Sequence, residues 1–140
     1  MSRARNATKA EIDQIRAICV LMFPNCFVLK GYLKRPLKIG IYDDLRAALK
    51  PTFPGISRTR LQAFLADYTG GLRYLHQVRE GRERIDLYGN VVGVVTAHEA
   101  EHAKMRWLRR KITIRKRWET IPMLPGKISK FQKITRKEEA

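Results

Sequence analysis

A tyrosine and an arginine in the segment from Tyr68 to Asn90 are the side chains best suited to chemistry, and that chemistry is the binding of a nucleotide. Tyr74 carries an aromatic face and a hydroxyl, and Arg84 carries a planar guanidinium. Unpaired nucleotides stack on such rings and place their phosphates against such cations. The same residues also fit a core tyrosine and a solvated arginine, because aromatic side chains most often serve packing.

The charge of the chain points to an anionic partner. The 140 residues include 29 Lys and Arg against 13 Asp and Glu, a net charge of +16. A surplus of this size predicts binding to a polyanion. The basic residues are concentrated after Ala103, so a mildly basic domain leads into a strongly basic helix and tail.

The length and the 44% hydrophobic content predict one folded domain. We expect a basic arm over residues 1–7, the domain over residues 8–118 and a basic flexible tail over residues 119–140. The apolar run over residues 18–23 is too short to span a bilayer, and the first residues do not predict a secretory leader. Cys19 falls in an apolar helical run and favours a reduced thiol. These features predict a cytoplasmic protein without membrane contact.

The predicted fold class is α+β and mainly α-helical, with about five helices, one small β-hairpin and a basic C-terminal helix. Residues 84–87 and 91–95 form the hairpin around a Gly89-Asn90 turn, with Ile85 and Leu87 facing inward. The expected helices begin after Thr8, at Pro36, after Ser57, near Leu72 and after Thr96, and the first and last starts read as capping boxes with Glu11 and Glu99.

Two of these helices carry specific expectations. In the helix beginning at Pro36, Gly40 is expected to allow close approach of a backbone or ligand, because glycine costs about 1 kcal/mol inside a helix. In the helix after Ser57, the first turn carries Arg58, Thr59 and Arg60, where acidic residues are usual. Free amides and a positive dipole at that end predict an anion site, against the alternative of an ordinary cap.

Five sequence segments, taken in order and spacing, resemble the FinO/ProQ family of bacterial RNA chaperones. They are Phe23-Pro24-Asn25-Cys26-Phe27, Arg35-Pro36-Leu37-Lys38-Ile39-Gly40-Ile41, Arg73-Tyr74-Leu75, Arg84-Ile85-Asp86-Leu87-Tyr88-Gly89-Asn90 and Glu101-His102-Ala103. The resemblance implies a helical domain with a hairpin at one side. It also implies recognition of the 3′ end of intrinsic-terminator hairpins with a U-rich single-stranded tail, in post-transcriptional regulation by small RNAs and mRNA 3′ ends.

The resemblance assigns roles to individual residues. Tyr74 and Arg84 match the family's 3′-end pocket, with Lys38 and Arg35 nearby. The start of the helix at Ser57, Arg58 and Thr59 matches its contact with the base of the stem, and Arg73 and Lys104 match other basic positions. The resemblance implies RNA as the partner of a monomer, without catalysis, cofactor or metal.

Two other readings of the residues stay open at this point. The helices after Ser57 and near Leu72, with a glycine break between them, fit a DNA-binding helix-turn-helix. His98, Glu99 and His102 fit the zinc-protease pattern His-Glu-x-x-His, for which Glu119 is a conceivable third ligand. Against a protease, Glu99 already has a capping role, and no further histidine follows His102.

Overall fold

The computed structural model describes residues 7–120, and the expectations for the arm (residues 1–6) and for residues 121–140 of the tail lie outside that range. The chain divides into two units, one ending at Arg110 and one beginning at Lys111. The helices and strands are α1 (Lys9–Met22), α2 (Ile41–Leu49), α3 (Arg58–Gly70), α4 (Leu72–Gln77), β1 (Glu83–Ile85), β2 (Val91–Val94) and α5 (Ala97–Thr120). Five helices and one antiparallel hairpin confirm the predicted fold class. None of these helices is both long enough and apolar enough to cross a membrane.

An aromatic cluster forms the centre of the first unit. α1 packs on α3, and α3 also contacts α2 and α4. The helical spacing of apolar residues in α3 buries Phe64 and Tyr68 against Phe27, whose ring centroid lies 5.5 Å from that of Phe64 and 5.2 Å from that of Tyr68. Such tilted and edge-on contacts add to the free energy gained by burying the rings.

Both predicted capping boxes place a side chain on the helix start as expected. In α1 the Glu11 amide donates to Thr8 Oγ1 at 3.2 Å. In α5 the bonds are reciprocal, because the Glu99 amide donates to Thr96 Oγ1 at 3.2 Å and the Thr96 amide donates to Glu99 Oε1 at 3.1 Å. Each bond satisfies an amide that has no partner within its helix.

The prediction that a helix begins at Pro36 is wrong, because α2 begins at Ile41. Residues 36–38 are extended and pair with the hairpin. The Ile85 amide donates to the Pro36 carbonyl at 3.0 Å, and the Lys38 amide donates to the Ile85 carbonyl at 2.8 Å. Gly40 is the N-cap, with φ at 83°, and nothing lies within 4 Å of a Cβ built there. Its role is therefore a left-handed turn and not close approach.

Asp86 organises the hairpin turn. Its Oδ1 accepts hydrogen bonds from the Tyr88 and Asn90 amides, both at 2.9 Å. Gly89 has φ at 82°, and a Cβ there would lie 2.9 Å from the Asn25 Cβ. Glycine is required at this position for both reasons, and the turn is fixed against the segment that follows α1.

The two strands differ in what they cover. β1 ends in Ile85, which is buried, and the register shifts between Arg84 and Ile85. Within residues 7–120, β2 pairs with β1 alone. The valines of β2 (Val91, Val92 and Val94) are about half exposed.

The two cysteines are buried free thiols. Burial is the larger cause that raises the pKa of Cys19 to about 12, and the neighbouring Cys26 thiol adds to it. Burial is also the larger cause that raises the pKa of Cys26 to about 12, and the Asp86 carboxylate adds to it. Both thiols are therefore neutral side chains of the core at physiological pH.

Gly40→Ala tests the corrected start of α2. A glycine inside a helix would gain about 1 kcal/mol of stability on this change, whereas a residue forced into the left-handed region loses about 1–2 kcal/mol. We expect a loss, measured as the free energy of unfolding in denaturant. Gly55→Ala is the matched control, because a Cβ there meets nothing within 4 Å and its φ is not positive. A gain in stability for Gly40→Ala would contradict the assigned N-cap.

Candidate functional site

A cleft of about 410 Å³ is lined by both Tyr74 and Arg84, the two residues that the sequence predicts as the centre of the site. Tyr74 comes from α4, Arg84 comes from β1, and the far side is formed by one face of α5. The residues lining the cleft are Ile39, Thr69, Tyr74, Leu75, Val78, Arg84, His98, Glu99, His102, Ala103 and Arg106.

Tyr74 is a core residue that forms part of the cleft wall. Only 6% of its surface is exposed, and its hydroxyl accepts a hydrogen bond from the Leu37 amide at 3.1 Å. Burial raises the pKa of Tyr74 above its ordinary value, while the Leu37 amide and the Arg84 guanidinium oppose that rise. The expectation of an open aromatic face for stacking is wrong, because the ring is packed inside the domain.

Arg84 is held from two sides. Its Nη1 donates to the Leu37 carbonyl at 2.8 Å, and its Nη2 donates to Glu99 Oε2 at 3.0 Å. The side chain is 12% exposed, and Nε is buried without a hydrogen-bond partner in the described part of the chain. The guanidinium is thus fixed beside Tyr74, and Glu99 neutralises part of its charge.

Glu99 combines a local and a long-range role. One carboxylate oxygen caps the start of α5 through Thr96, and the other accepts from Arg84. The hydrogen bond from the Thr96 amide is the main cause that holds the pKa of Glu99 below its ordinary value, and the positive charge of Arg84 contributes further. The carboxylate is therefore ionised in the cleft and ties the first turn of α5 to the hairpin.

Three cleft residues on α5 were not among those expected to bind RNA, although two of them, His98 and His102, were considered as zinc ligands. His98, His102 and Arg106 are exposed and line the cleft, while Ala103 on the same face is buried. The helical spacing around a small buried alanine would have predicted this face, because residues three and four apart lie on one side of a helix. Together they add a guanidinium and two imidazoles to the cleft.

The start of α3 has the capping geometry that the sequence predicts. Ser57 Oγ accepts from the Arg60 amide at 3.4 Å. The first amides of a helix have no partner within it, so those of Arg58 and Thr59 are oriented to bind an anion. Arg60 is less available than expected, because its Nε lies 2.9 Å from Glu11 Oε2. Arg58 is exposed.

Lys38 and Arg35 do not line the cleft that holds Tyr74 and Arg84. Lys38 Nζ donates to Asp44 Oδ2 at 2.7 Å, and this bond raises the pKa of Lys38. Arg35 is exposed and lines another cleft, with Arg82 among its neighbours. Lys38 and Arg35 nevertheless flank Leu37, whose backbone bonds both Tyr74 and Arg84, so their backbones lie near the pair although their side chains do not line its cleft.

Arg73 and Lys104 also lie on surfaces of their own. The Arg73 guanidinium is beside the chain at Gly31, 3.8 Å from a Cβ built there. Lys104 lines a third cleft between α4 and α5, where the rings of His76 and Trp107 are 6.3 Å apart between centroids. The predicted basic residues thus do not all line one cleft.

The geometry weakens both rival readings. His98 and His102 share a face of α5, but both oxygens of Glu99 accept hydrogen bonds from protein groups. Residues 7–120 hold no group of three or more His, Cys, Asp or Glu side chains placed to bind a metal. α4 has only six residues, and it buries Tyr74 and Leu75, so it presents little surface for a DNA groove.

Comparison with known proteins gives a consistent match. The ProQ/FINO family model matches residues 10–119. A protein of Aliivibrio fischeri (strain MJ11) named RNA chaperone ProQ is 44% identical over 95 residues, which cover 68% of this chain and 45% of that protein. Its namesake in Idiomarina loihiensis is 34% identical over 140 residues, which cover 100% of this chain and 59% of that protein. The chain thus spans about half the length of these curated relatives.

Two solved structures share the fold. A ProQ homolog from Legionella pneumophila, solved by NMR, superposes with a TM-score of 0.65 at 32% identity and covers 91% of this chain and 99% of that one. The crystal structure of a FinO-like RNA chaperone from Neisseria meningitidis has a TM-score of 0.53 at 27% identity and covers 69% of this chain and 94% of that one.

Tyr74→Phe tests whether the Tyr74 hydroxyl serves the fold. The change leaves the buried Leu37 amide without its acceptor, so we expect a loss of about 1–3 kcal/mol in the free energy of unfolding. Tyr74→Ala adds a cavity and should cost about 3–5 kcal/mol. Tyr88→Phe is the control, because the Tyr88 ring is exposed, and its stability should not change. Unchanged stability in Tyr74→Phe would contradict the assigned hydrogen bond.

Proposed function

The chain belongs to the ProQ/FINO family, and from this premise we propose that it is an RNA-binding protein with RNA chaperone activity. More specifically, it binds structured RNA at the 3′ end of intrinsic-terminator hairpins that carry a U-rich single-stranded tail. Small RNAs and mRNA 3′ ends carry this element, so the protein acts in post-transcriptional regulation. It works as a monomer in the cytoplasm, without a cofactor.

The observation that carries this proposal is the cleft built on Arg84. The exposed Arg106 guanidinium and the imidazoles of His98 and His102 offer donors to the last nucleotide of a transcript. They lie beside the Arg84 guanidinium, which the Leu37 carbonyl and Glu99 hold in place. The ionised Glu99 in the same cleft disfavours a second phosphate beside the first. A chain that stops in the cleft is therefore accepted better than one that continues through it.

The start of α3 supplies a second contact. A-form RNA has a deep and narrow major groove, so proteins hold a stem by its backbone and shape. The amides of Arg58 and Thr59, the helix dipole and the Arg58 side chain suit one backbone phosphate without regard to base identity. Removing this contact should weaken binding to every hairpin by a similar factor.

The high positive charge supports both contacts. Neutralising phosphates releases counterions, so affinity should fall steeply as salt rises. Exposed cations attract RNA strands without fixing their sequence. Such a surface suits a chaperone that holds hairpins while they exchange partners.

Binding of matched RNAs to the full chain tests the proposal. We expect a terminator hairpin with a free U-tail to bind more tightly than the same hairpin with a blocked or extended 3′ end. Duplex DNA of equal length should compete poorly. Equal affinity for free and blocked ends would remove the 3′-end assignment, and stronger competition by DNA would favour the helix-turn-helix reading.

Arg106→Ala and Arg109→Ala form a matched pair for the cleft. Both remove one exposed cation from α5, but only Arg106 lines the cleft. We expect Arg106→Ala to reduce the ratio of affinities for free and blocked 3′ ends. Arg109→Ala should lower both affinities alike and leave that ratio unchanged. A preserved ratio in Arg106→Ala would place the 3′ end elsewhere.

A further inference from the structure

The segment between α1 and the extended residues 36–38 exposes three large apolar side chains. Leu29 is 50% exposed, Tyr32 is 66% exposed and Leu33 is 70% exposed. A cluster of this kind on a small domain usually marks an interaction surface, because single exposed apolar residues are common and contiguous ones are not. We call residues 29–33 the Tyr32 loop.

The Tyr32 loop is fixed to the core at both ends by the same residue. The Val28 amide donates to the Tyr68 hydroxyl at 3.1 Å. Lys34 Nζ donates to the Tyr68 carbonyl at 3.1 Å and lies 4.3 Å from the centroid of the Tyr68 ring. Tyr68 is fully buried. The loop is therefore preorganised, so a ligand that binds it pays little for ordering the chain.

Several cations lie near the Tyr32 loop. Lys30 lies within it and Arg35 follows it, and both are exposed. The Arg73 guanidinium lies beside the loop at Gly31. Asp13 is 3.9 Å from Lys30 Nζ and also pairs with the buried Arg16. The cleft that Leu33 and Arg35 line also includes Arg82, Glu80 and Glu83, so the loop has both cations and carboxylates as neighbours.

We propose that the Tyr32 loop is a second RNA-binding site, separate from the cleft, that takes an unpaired nucleotide. The base stacks on the exposed Tyr32 ring, and the adjoining phosphates lie against Arg35 and Arg73. Exposed aromatic rings flanked by cations are the usual means of holding single-stranded RNA without sequence preference. This inference rests on the proposed function, since it assigns a further part of the same RNA.

The proposal gives a role to two residues that the cleft leaves out. The family resemblance assigned Arg35 and Arg73 to RNA, but neither lines the cleft with Tyr74 and Arg84. Tyr74 is buried and has no open face to offer. The stacking that was expected of Tyr74 is instead available at Tyr32, whose ring is exposed. Tyr32 follows Gly31, which the Arg73 guanidinium approaches, and precedes Arg35 by three residues.

Two RNAs and four forms of the full chain test this inference. One RNA is a blunt hairpin closed by a stable tetraloop, and the other is the same hairpin with unpaired A-rich flanks at both ends. Tyr32→Ala should weaken binding to the flanked RNA about 5- to 100-fold, the range expected for one stacked base, and leave the blunt RNA unchanged. Tyr32→Phe should bind both RNAs like the parent chain, because it keeps the ring.

Tyr88→Ala is the matched control, because Tyr88 is also 66% exposed but lies on the hairpin turn. It should leave both affinities unchanged. A second measurement places 2-aminopurine in a flank, where stacking on Tyr32 quenches its fluorescence and Tyr32→Ala restores it. Melting temperatures well above the assay temperature will show that the variants are folded; Tyr88→Ala also loses an edge-on contact with Phe23.

Three results would overturn the inference. The first is that Tyr32→Ala binds the flanked RNA as tightly as the parent chain does. The second is that Tyr32→Ala loses as much affinity for the blunt RNA as for the flanked RNA. The third is that Tyr88→Ala loses as much affinity for the flanked RNA as Tyr32→Ala does. If the parent chain binds neither these RNAs nor a terminator hairpin with a free U-tail, the proposed function itself fails. If it binds the U-tailed hairpin but not the flanked RNA, only the second site fails. The failure of the second site alone is therefore distinguishable from the failure of RNA binding, and unchanged RNA binding in Tyr32→Ala would leave the loop as a surface for a protein.

Discussion

The backbone amide and carbonyl of Leu37 join the two residues that form one wall of the cleft, Tyr74 and Arg84. The Leu37 amide donates to Tyr74, and the Leu37 carbonyl accepts from Arg84. The neighbouring residues pair with the backbone of Ile85. α4, the hairpin and the segment before α2 therefore meet at one buried strand-like stretch. Because unsatisfied buried peptide groups are costly, these bonds determine where the cleft wall stands.

This arrangement explains why the residues that suggest chemistry in the sequence do mostly structural work. Tyr74 and Arg84 direct their polar atoms toward Leu37, and Glu99 directs one oxygen toward Arg84. What remains for a ligand is the cleft that they support, together with exposed donors on α5. Tyr74, Arg84 and Glu99 therefore fix the shape of the cleft through bonds to one another and to Leu37.

Local patterns in the sequence were sufficient for the helices whose ends are set by nearby residues. The spacing of Ile15 and Cys19 places α1, and Thr8 and Thr96 cap their helices as predicted. The prediction fails for Pro36, because the partner of that segment is Ile85, far along the chain. Which arginines are free was equally hidden, since Glu99 and Glu11 engage Arg84 and Arg60 only in three dimensions.

The exposed valines of β2 have a consequence for handling the protein. Among the described residues this strand pairs on one side only, so its outer edge offers amides and carbonyls beside an apolar surface. Such edges recruit further strands and lead to aggregation. The strand is only four residues long and includes Gly93, and a register shift interrupts its pairing with β1. Its shortness and irregularity protect the domain from fibrous self-assembly at high concentration.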